Sequence, residues 1–289
     1  MSRTEPPRTA RPVAVVTGGA RGIGRAVAAE LLARGLRVVV ADLEGAELTA
    51  HELGPNAVGC RLDVTDVAAV GRLVEEVETG LGPLAVWVNN AGVMPTGPLL
   101  EQGGEVGDLV IDVDYRAVVH ASRAVLPVML ARGRGAIVQV ASATGTKPMA
   151  GLAVYSGAKA GVVAFAEALR RELRGTGVDV VTVLPYLAAT PLGAGIRPQR
   201  GFRAVTAQEV AVETVRAVER GRAEVYVPRW LGPAIRFFRE LPPTVRNLLD
   251  DALDSDRIGL GGDPAVRADY LSELRRTYPP EAGADSLDE

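Results

Sequence analysis

The feature that most constrains this chain is a glycine-rich loop that joins a buried strand to an amphipathic helix. The apolar segment VAVV comes first, the loop TGGARGIG follows, and the helical run RAVAAELLARG ends on Gly35. Glycines at such a junction let the backbone approach a phosphate, and the helix N-terminus favours its negative charge. The spacing of Gly18, Gly22 and Gly24 is GxxxGxG rather than GxGxxG, so the loop predicts a pyrophosphate site, with a ligand-free glycine turn as the alternative.

Strand-like segments alternate with helical periodicity along most of the chain. After the loop come LRVVVAD, AVGCRLDV, LAVWV, AIVQV, VDVVTVLP and AEVYVP, separated by amphipathic runs. This alternation is typical of an α/β fold with a doubly wound parallel sheet. The periodicity also predicts a long helix over 105–131, kinked or interrupted by Pro127, and another over 153–174.

We divide the chain into four predicted segments. Residues 1–11 form a disordered lead-in, 12–228 a dinucleotide-binding and catalytic domain, 229–275 an amphipathic helical extension, and 276–289 an acidic disordered tail. Within the domain, the polar stretch 186–206 suits a mobile substrate loop.

The extension begins with RWLGPAIRFFRELPPTVRNLLDDAL, which mixes aromatic residues with arginines. Such a stretch over 229–250 fits a peripheral contact with a membrane, a cover over an apolar pocket, or packing on its own domain or a neighbouring subunit.

Composition limits the classes of protein to which the chain can belong. It is 47% hydrophobic and 23% charged, as globular chains are, and its net charge of −3 gives no support for nucleic-acid binding. The single cysteine, Cys60, excludes an internal disulfide and suits a reducing cytoplasm. The first residues lack an apolar signal core, and no apolar run reaches the roughly 18 residues of a membrane span. His51 and His120 lack further ligands nearby, so we predict no metal site.

Three reactive side chains follow the strand AIVQV. Tyr155 and Lys159 are four residues apart, which places them on one face of a helix, and Ser142 lies just after the strand. A phenol has a pKa of about 10, so it needs a nearby cation to act as an acid or base at neutral pH. Lys159 would supply this cation, although an ordinary helical pair with a turn serine is the alternative interpretation.

Residues at the strand ends indicate which dinucleotide binds. Asp42 ends the second strand, where a carboxylate accepts hydrogen bonds from the adenosine ribose and repels a 2′-phosphate. Arg21 in the glycine loop argues for NADP, because a guanidinium pairs with phosphate, but Leu43 and not an arginine follows Asp42. We therefore predict NAD, with NADP less favoured. Asp63 ends the third strand, where it either meets the adenine or caps the next helix.

The glycine loop, the strand-end aspartates, the segment NNAG and the set Ser142, Tyr155 and Lys159 together resemble the short-chain dehydrogenase/reductase family over residues 11–228. The resemblance implies a Rossmann-type fold with a seven-stranded sheet, helices on both faces, and a nicotinamide cofactor. It also implies that Tyr155 is the general acid/base on the substrate oxygen, that Ser142 hydrogen-bonds this oxygen, and that Lys159 holds the nicotinamide ribose and lowers the tyrosine pKa.

The candidate site residues fall into three groups. The catalytic candidates are Ser142, Tyr155, Lys159 and Asp114. The cofactor candidates are Gly18, Arg21, Gly22, Ile23, Gly24, Asp42, Leu43, Asp63, Val64, Asn90, Ala91, Gly92, Tyr155, Lys159, Pro185 and Thr190. The candidates for the substrate pocket are Met94, Ala143, Met149, Leu152, Tyr186 and Leu187.

Two positions depart from the family pattern. Asp114 stands in the long helix where the family has an asparagine that anchors a water relay to the lysine. A carboxylate there would pair with Lys159 and oppose its effect on Tyr155, which predicts an active enzyme with a shifted pH optimum. Tyr186 replaces a glycine after the sixth strand, where it either shapes the substrate pocket or is displaced into solvent. Thr190 matches the pattern and is expected to bond the nicotinamide carboxamide.

These residues and the resemblance predict an NAD-dependent oxidoreductase for a bulky, apolar secondary alcohol or ketone. Relatives that act on lipids, steroids or retinoids carry similar tails after a YVPRW-like strand. The alternatives are an NADP-dependent carbonyl reductase and a nucleotide-binding regulatory protein that has lost turnover through Asp114 and Tyr186. The long helices over 105–131 and 153–174 would pack against a twofold mate and give a homodimer or homotetramer.

Overall fold

The fold is built on a sheet of seven parallel strands. The computed structural model describes residues 11–278, so most of the predicted lead-in and acidic tail lies outside the described residues. The strand order is β3-β2-β1-β4-β5-β6-β7, which confirms the predicted doubly wound Rossmann-type sheet. The strands are β1 (Val13–Thr17), β2 (Arg37–Asp42), β3 (Ala57–Arg61), β4 (Leu84–Asn89), β5 (Gly135–Val140), β6 (Val178–Pro185) and β7 (Glu224–Val227).

Helices cover the sheet and continue beyond its last strand. In the domain, α1 packs against α7, α3 against α5, and α4 against α6. The helices of the domain are α1 (Gly22–Ala33), α2 (Ala46–Leu53), α3 (Val67–Glu76), α4 (Gly104–Ile111), α5 (Ala117–Arg132), α6 (Ala153–Glu172) and α7 (Ala207–Glu219). The helices after β7 are α8 (Leu231–Glu240), α9 (Pro243–Leu253), α10 (Arg257–Leu260) and α11 (Pro264–Thr277).

The strands follow from their composition. Every residue of β1 is buried, and β4 buries five of its six residues, including Leu84 and Trp87. A parallel sheet with helices on both faces buries both sides of each strand, so its strands read as apolar runs rather than as alternating patterns. The β-branched valines that fill these runs also suit the pleated backbone.

The predicted long helix after β4 is helical throughout 104–132, but its hydrogen-bond pattern changes at a place that was not predicted. Helix α5 continues through Pro127, so the expected interruption there is wrong. Instead, a π-type turn over Asp112–Arg116 separates α4 from α5. Proline removes one backbone donor, but Pro127 and Arg123, whose carbonyl loses that bond, are both exposed, so water can replace it. The π turn brings Asp114 to a fully buried position.

The extension is helical, as predicted, and packs on its own domain. Helix α8 lies against β7 and buries Leu231 and Ile235. Asp250 on α9 accepts hydrogen bonds from Lys147 Nζ (2.6 Å) in the segment after β5 and from Ser255 Oγ (2.7 Å). None of the helices within 11–278 combines the length and apolar character that crossing a bilayer requires.

Candidate active site

A cavity of about 570 Å³ lies at the carboxyl edge of the sheet. The chain order reverses where β1 lies between β2 and β4, and open parallel sheets bind ligands at such a point. The predicted cofactor residues in its wall are Gly18, Arg21, Gly22, Ile23, Asp42, Leu43, Val64, Asn90, Ala91, Gly92, Tyr155, Lys159, Pro185 and Thr190. The predicted substrate residues in its wall are Met94, Ala143, Met149, Leu152, Tyr186 and Leu187.

The glycine loop and the start of α1 form one wall of this cavity. Gly18 has a φ of 60°, in the left-handed region that glycine tolerates. Gly24 lies behind the wall, where a Cβ would come within 2.1 Å of the Gly18 carbonyl oxygen. Asn90 fixes the loop by donating from Nδ2 to the carbonyl oxygens of Thr17 (2.9 Å) and Gly18 (3.0 Å).

The N-terminus of α1 fits an anionic ligand. No side chain caps it, and its first turn carries no acidic residue. Its backbone donors and the positive end of the helix dipole therefore face the cavity without a competing carboxylate. This is the arrangement that a pyrophosphate needs, so the residues present fit a dinucleotide.

The carboxylate of Asp42 is held at the tip of β2. It accepts hydrogen bonds from the backbone N–H groups of Ala20 (2.9 Å) and Leu43 (2.8 Å). These bonds fix a negative charge beside the glycine loop, at the position predicted for an adenosine ribose.

Asp63 is the predicted strand-end residue that the structure does not bring into the cavity. Its carboxylate instead accepts hydrogen bonds from the N–H (2.8 Å) and hydroxyl (2.7 Å) of Thr65. Asp66, not Asp63, caps α3 by accepting from the Ala69 N–H (2.9 Å). Asp63 therefore stabilises the turn before the helix.

The structure brings the three reactive side chains together. Tyr155 and Lys159 lie one turn apart on α6, and both are buried. Lys159 Nζ lies 5.6 Å from the centre of the Tyr155 ring and donates to the Val140 carbonyl oxygen (3.2 Å). Ser142 follows β5, and its Oγ accepts hydrogen bonds from the N–H (3.2 Å) and hydroxyl (2.9 Å) of Thr144.

Asp114 lies next to this set. Its Oδ1 accepts from the Val93 N–H (2.8 Å), and its Oδ2 lies 3.6 Å from Lys159 Nζ. Burial raises the pKa of Asp114 to about 6, while Lys159 and the Val93 amide oppose the rise. Burial also raises the pKa of Tyr155, the charge of Asp114 raises it further, and the nearby Ser142 hydroxyl opposes the rise.

Tyr186 points into the protein rather than into solvent. It is 7% exposed, its hydroxyl accepts from the Gln199 N–H (3.0 Å), and its ring centre lies 5.5 Å from that of Phe202. Tyr186 is therefore buried and lines the cavity, and its role in shaping a substrate pocket stays a prediction.

The cavity also contains residues that sequence reasoning missed. Helix α11 covers it from the extension with Tyr270, Glu273, Leu274 and Thr277, and Tyr278 follows directly after the helix. The Tyr270 hydroxyl accepts from the Met94 N–H (2.9 Å), and burial raises its pKa to about 12. The spacing of Tyr270 and Leu274 predicts an apolar helix face, but it gives no sign of which surface that face covers.

Arg267 holds α11 in place from behind the cavity wall. Its buried guanidinium donates to Thr96 Oγ1 (3.1 Å) and to the carbonyl oxygens of Leu192 (3.1 Å), Ala194 (3.3 Å) and Met94. It therefore joins the loop after β4 to the loop after β6.

The arrangement can move a proton at a substrate oxygen. A phenol beside an ammonium group and a hydroxyl is suited to general acid/base catalysis. Protein side chains supply no hydride acceptor, so oxidation of a C–H bond here requires the dinucleotide for which the cavity is shaped. Within residues 11–278, no cluster of histidine, cysteine and acidic side chains is arranged to hold a metal ion.

Comparison with known proteins gives concordant matches. The family model for short chain dehydrogenases matches residues 12–201. The chain is 35% identical over 182 residues to the 3-oxoacyl-(acyl-carrier-protein) reductase FabG of Escherichia coli, covering 62% of this chain and 75% of the relative. It is 39% identical over 211 residues to the 1-deoxy-11-beta-hydroxypentalenate dehydrogenase of Streptomyces exfoliatus, covering 68% and 76%.

A solved structure matches most of the chain. It is a short chain dehydrogenase/reductase from Burkholderia phymatum in complex with NAD, 26% identical, with a TM-score of 0.73. The match covers 80% of this chain and 94% of that protein.

Proposed function

Because the chain belongs to the short-chain dehydrogenase family, and is therefore an NAD(P)-dependent oxidoreductase of hydroxyl and keto groups, we propose that it uses NAD and acts on a bulky, apolar secondary alcohol or its ketone. The observation that carries this proposal is the common cavity that holds Asp42 at one end and Tyr155 with Lys159 at the other. The Asp42 carboxylate recognises a ribose, and Tyr155 with Lys159 moves a proton.

The preference for NAD rests on charge. The Asp42 carboxylate would accept hydrogen bonds from ribose hydroxyls and repel a 2′-phosphate. The Burkholderia phymatum relative, which has the same fold, was solved with NAD. An NADP-dependent reductase stays the second candidate, because Arg21 also lines the cavity.

The proposed mechanism assigns one task to each side chain. Bound NAD would supply the acceptor for the hydride of the substrate carbon. Ser142 holds the substrate oxygen by a hydrogen bond, and the Tyr155 phenolate takes the proton from the substrate hydroxyl. Lys159 stabilises this phenolate and so counters the rise in pKa that burial and Asp114 cause. In the opposite direction, the Tyr155 phenol returns its proton to the oxygen of the ketone.

The apolar substrate class is supported by the wall around Tyr155. Met94, Met149, Leu152 and Leu187 supply apolar surface, and Leu274 adds more from α11. A pocket lined in this way gains most from burying hydrocarbon, with few polar groups to set its orientation.

We also propose a homodimer or homotetramer in a cytoplasmic location, with a peripheral membrane contact through 229–250 as a further expectation. Support for the last comes from Phe237 on α8 and Leu248 on α9, which are 70% and 68% exposed. Apolar side chains beside arginines suit a membrane surface.

The experiment that tests this function combines binding with turnover. Calorimetric titration with NADH and NADPH is followed by assays on a panel of apolar secondary alcohols, with Tyr155→Phe and Tyr226→Phe compared. Tyr155→Phe should keep dinucleotide binding and lose about 10²- to 10⁴-fold in kcat/KM, because it removes the acid/base. Tyr226→Phe is the matched control, since its hydroxyl lies 3.4 Å from Thr146 Oγ1 and outside the cavity wall.

Each outcome of this experiment separates the candidates. Turnover retained by Tyr155→Phe contradicts the mechanism, and tighter binding of NADPH than of NADH favours the reductase alternative. Absence of binding by either dinucleotide contradicts the interpretation of the glycine loop.

A further inference from the structure

Helix α11 brings a carboxylate to the glycine loop from the far end of the chain. Glu273 Oε1 lies 3.2 Å from Arg21 Nη1, and the two residues are 252 positions apart in sequence. Both side chains line the cavity that holds Asp42. A residue of the extension therefore contributes to the end of the site at which an adenosine ribose is expected.

Charge at this end of the cavity depends on Arg21. Among the described residues of the wall, the basic side chains are Arg21 and Lys159. Lys159 bonds to β5, three strand spacings or roughly 14 Å from the β2 tip that carries Asp42. Arg21 is therefore the cation available to a 2′-phosphate, and Asp42 and Glu44 add negative charge nearby.

We propose that Glu273 is a specificity-determining residue that favours NAD over NADP by holding Arg21 in an ion pair. This inference rests on the proposed function. A guanidinium that already pairs with a carboxylate binds a phosphate more weakly, because the existing ion pair must break before the new one forms. Asp42 repels the 2′-phosphate directly, whereas Glu273 removes the group that would otherwise attract it.

The position of Glu273 is fixed by the rest of α11. Tyr270, one helical turn before Glu273, accepts a hydrogen bond from the Met94 N–H, and Arg267 bonds the helix to two loops of the domain. Cofactor preference in this chain therefore depends on the extension as well as on the glycine loop and Asp42.

The chain offers a closely matched control for Glu273→Gln. Arg275, which lies on α11 as Glu273 does, pairs with Glu105 of α4 at 3.3 Å. The side chains of Arg275 and Glu105 are 58% and 41% exposed, close to the 63% and 44% of Arg21 and Glu273. Glu105→Gln thus removes an equivalent carboxylate and an equivalent tether of α11, but away from the cavity. The dissociation constants of NADH and NADPH are measured by calorimetry at low ionic strength for the full-length wild-type chain and both variants.

Glu273→Gln should tighten NADPH binding about three- to fivefold and leave NADH binding within about twofold, since exposed ion pairs are worth up to about a factor of five. Glu105→Gln should change neither. In an Arg21→Gln background, Glu273→Gln should lose most of its effect, because the guanidinium that it releases is gone.

Several results would overturn the inference. These are an unchanged affinity for NADPH in Glu273→Gln, an equal change for both dinucleotides, the same gain in Glu105→Gln, or a full gain without Arg21. If the wild-type chain binds neither dinucleotide, the proposed function itself is wrong, and the inference falls with it.

Discussion

Asp114 sets the electrostatics of the reactive residues. It is fully buried, and its Oδ2 has no hydrogen-bond partner among the described residues. The carboxylate lies 3.6 Å from Lys159 Nζ, so it takes up part of the charge that would stabilise a Tyr155 phenolate. Sequence alone suggested this conflict, because a carboxylate in place of an amide changes the charge whatever the detailed geometry.

We predict that Asp114→Asn moves the pH dependence of alcohol oxidation to lower pH. Oxidation needs the Tyr155 phenolate, and the charge of Asp114 raises the pKa of Tyr155, so removing this charge lowers that pKa. The asparagine oxygen can still accept from the Val93 N–H. The rising limb of kcat/KM against pH should move down by on the order of one pH unit.

The control for this prediction is Asp112→Asn. Asp112 lies in the same π turn, but it pairs with Arg116 at the surface, so its variant should keep the wild-type profile. Superimposable profiles for wild type and Asp114→Asn would contradict the proposed role of Asp114.

Residues with strong local signals were predictable from sequence. Tyr155 and Lys159 are joined by helical spacing, and Asp42 ends an apolar run, so each position follows from one element. Asp63 also ends such a run, but its carboxylate accepts hydrogen bonds from Thr65 instead of lining the cavity. No sequence pattern distinguishes a strand-end carboxylate that bonds to its own turn from one that faces a ligand. Tyr270 was missed because its role depends on where a whole helix docks.

At the scale of elements, the sheet was easier to predict than the helices that close the site. Buried parallel strands are continuous apolar runs, and β1 shows this in its first four residues, with all five residues buried. The π turn at Asp112–Arg116 has no comparable signature, and the single proline nearby pointed to the wrong place. Helix α11 was predicted as part of a helical extension, but its position over the cavity depends on tertiary contacts.

We predict that Arg267→Met loosens both loops that α11 fastens. The variant leaves the Leu192, Ala194 and Met94 carbonyl oxygens without this donor. Met94 is buried, and a buried polar group without a partner costs about 1–3 kcal/mol, whereas Ala194 is exposed and Leu192 half-buried, so water can replace the donor there. The free energy of unfolding should therefore fall by about 2 kcal/mol. Hydrogen exchange should become faster in 94–97 and 191–195, while β1 and β4 keep their protection.

Two further variants make this result specific. Arg267→Lys should restore little, because an ammonium group cannot reproduce a planar fork that reaches several acceptors. Arg275→Met on the same helix removes only the exposed pair with Glu105 and should leave exchange in both loops unchanged. Equally fast exchange in Arg275→Met would mean that any substitution on α11 loosens the two loops, and not the loss of the Arg267 hydrogen bonds in particular.

At the scale of the whole molecule, the site is assembled from distant parts of the chain. The switch point of the sheet brings the glycine loop, the β4 loop and the β5 end together, and α11 then covers them. The first step could be predicted, since topology rules for parallel sheets leave few choices. The second step could not, because an amphipathic helix packs equally well on any apolar surface of the right shape.

The outer face of α6 tests the predicted homo-oligomer. Gly157 is exposed on this face, and a side chain added there meets nothing within 4 Å in the single chain. Gly157→Glu should therefore leave the fold of one chain intact, yet place a charge in any interface that pairs α6 with a twofold mate. We predict that the wild-type chain sediments at two or four times the mass of one chain and that the variant sediments at a lower multiple.

Gly71→Glu on α3 is the matched control, because a side chain there also meets nothing within 4 Å, but on another helix. If Gly157→Glu sediments like the wild type, the interface lies elsewhere; if both variants fall to a lower mass, added charge rather than the α6 face is responsible.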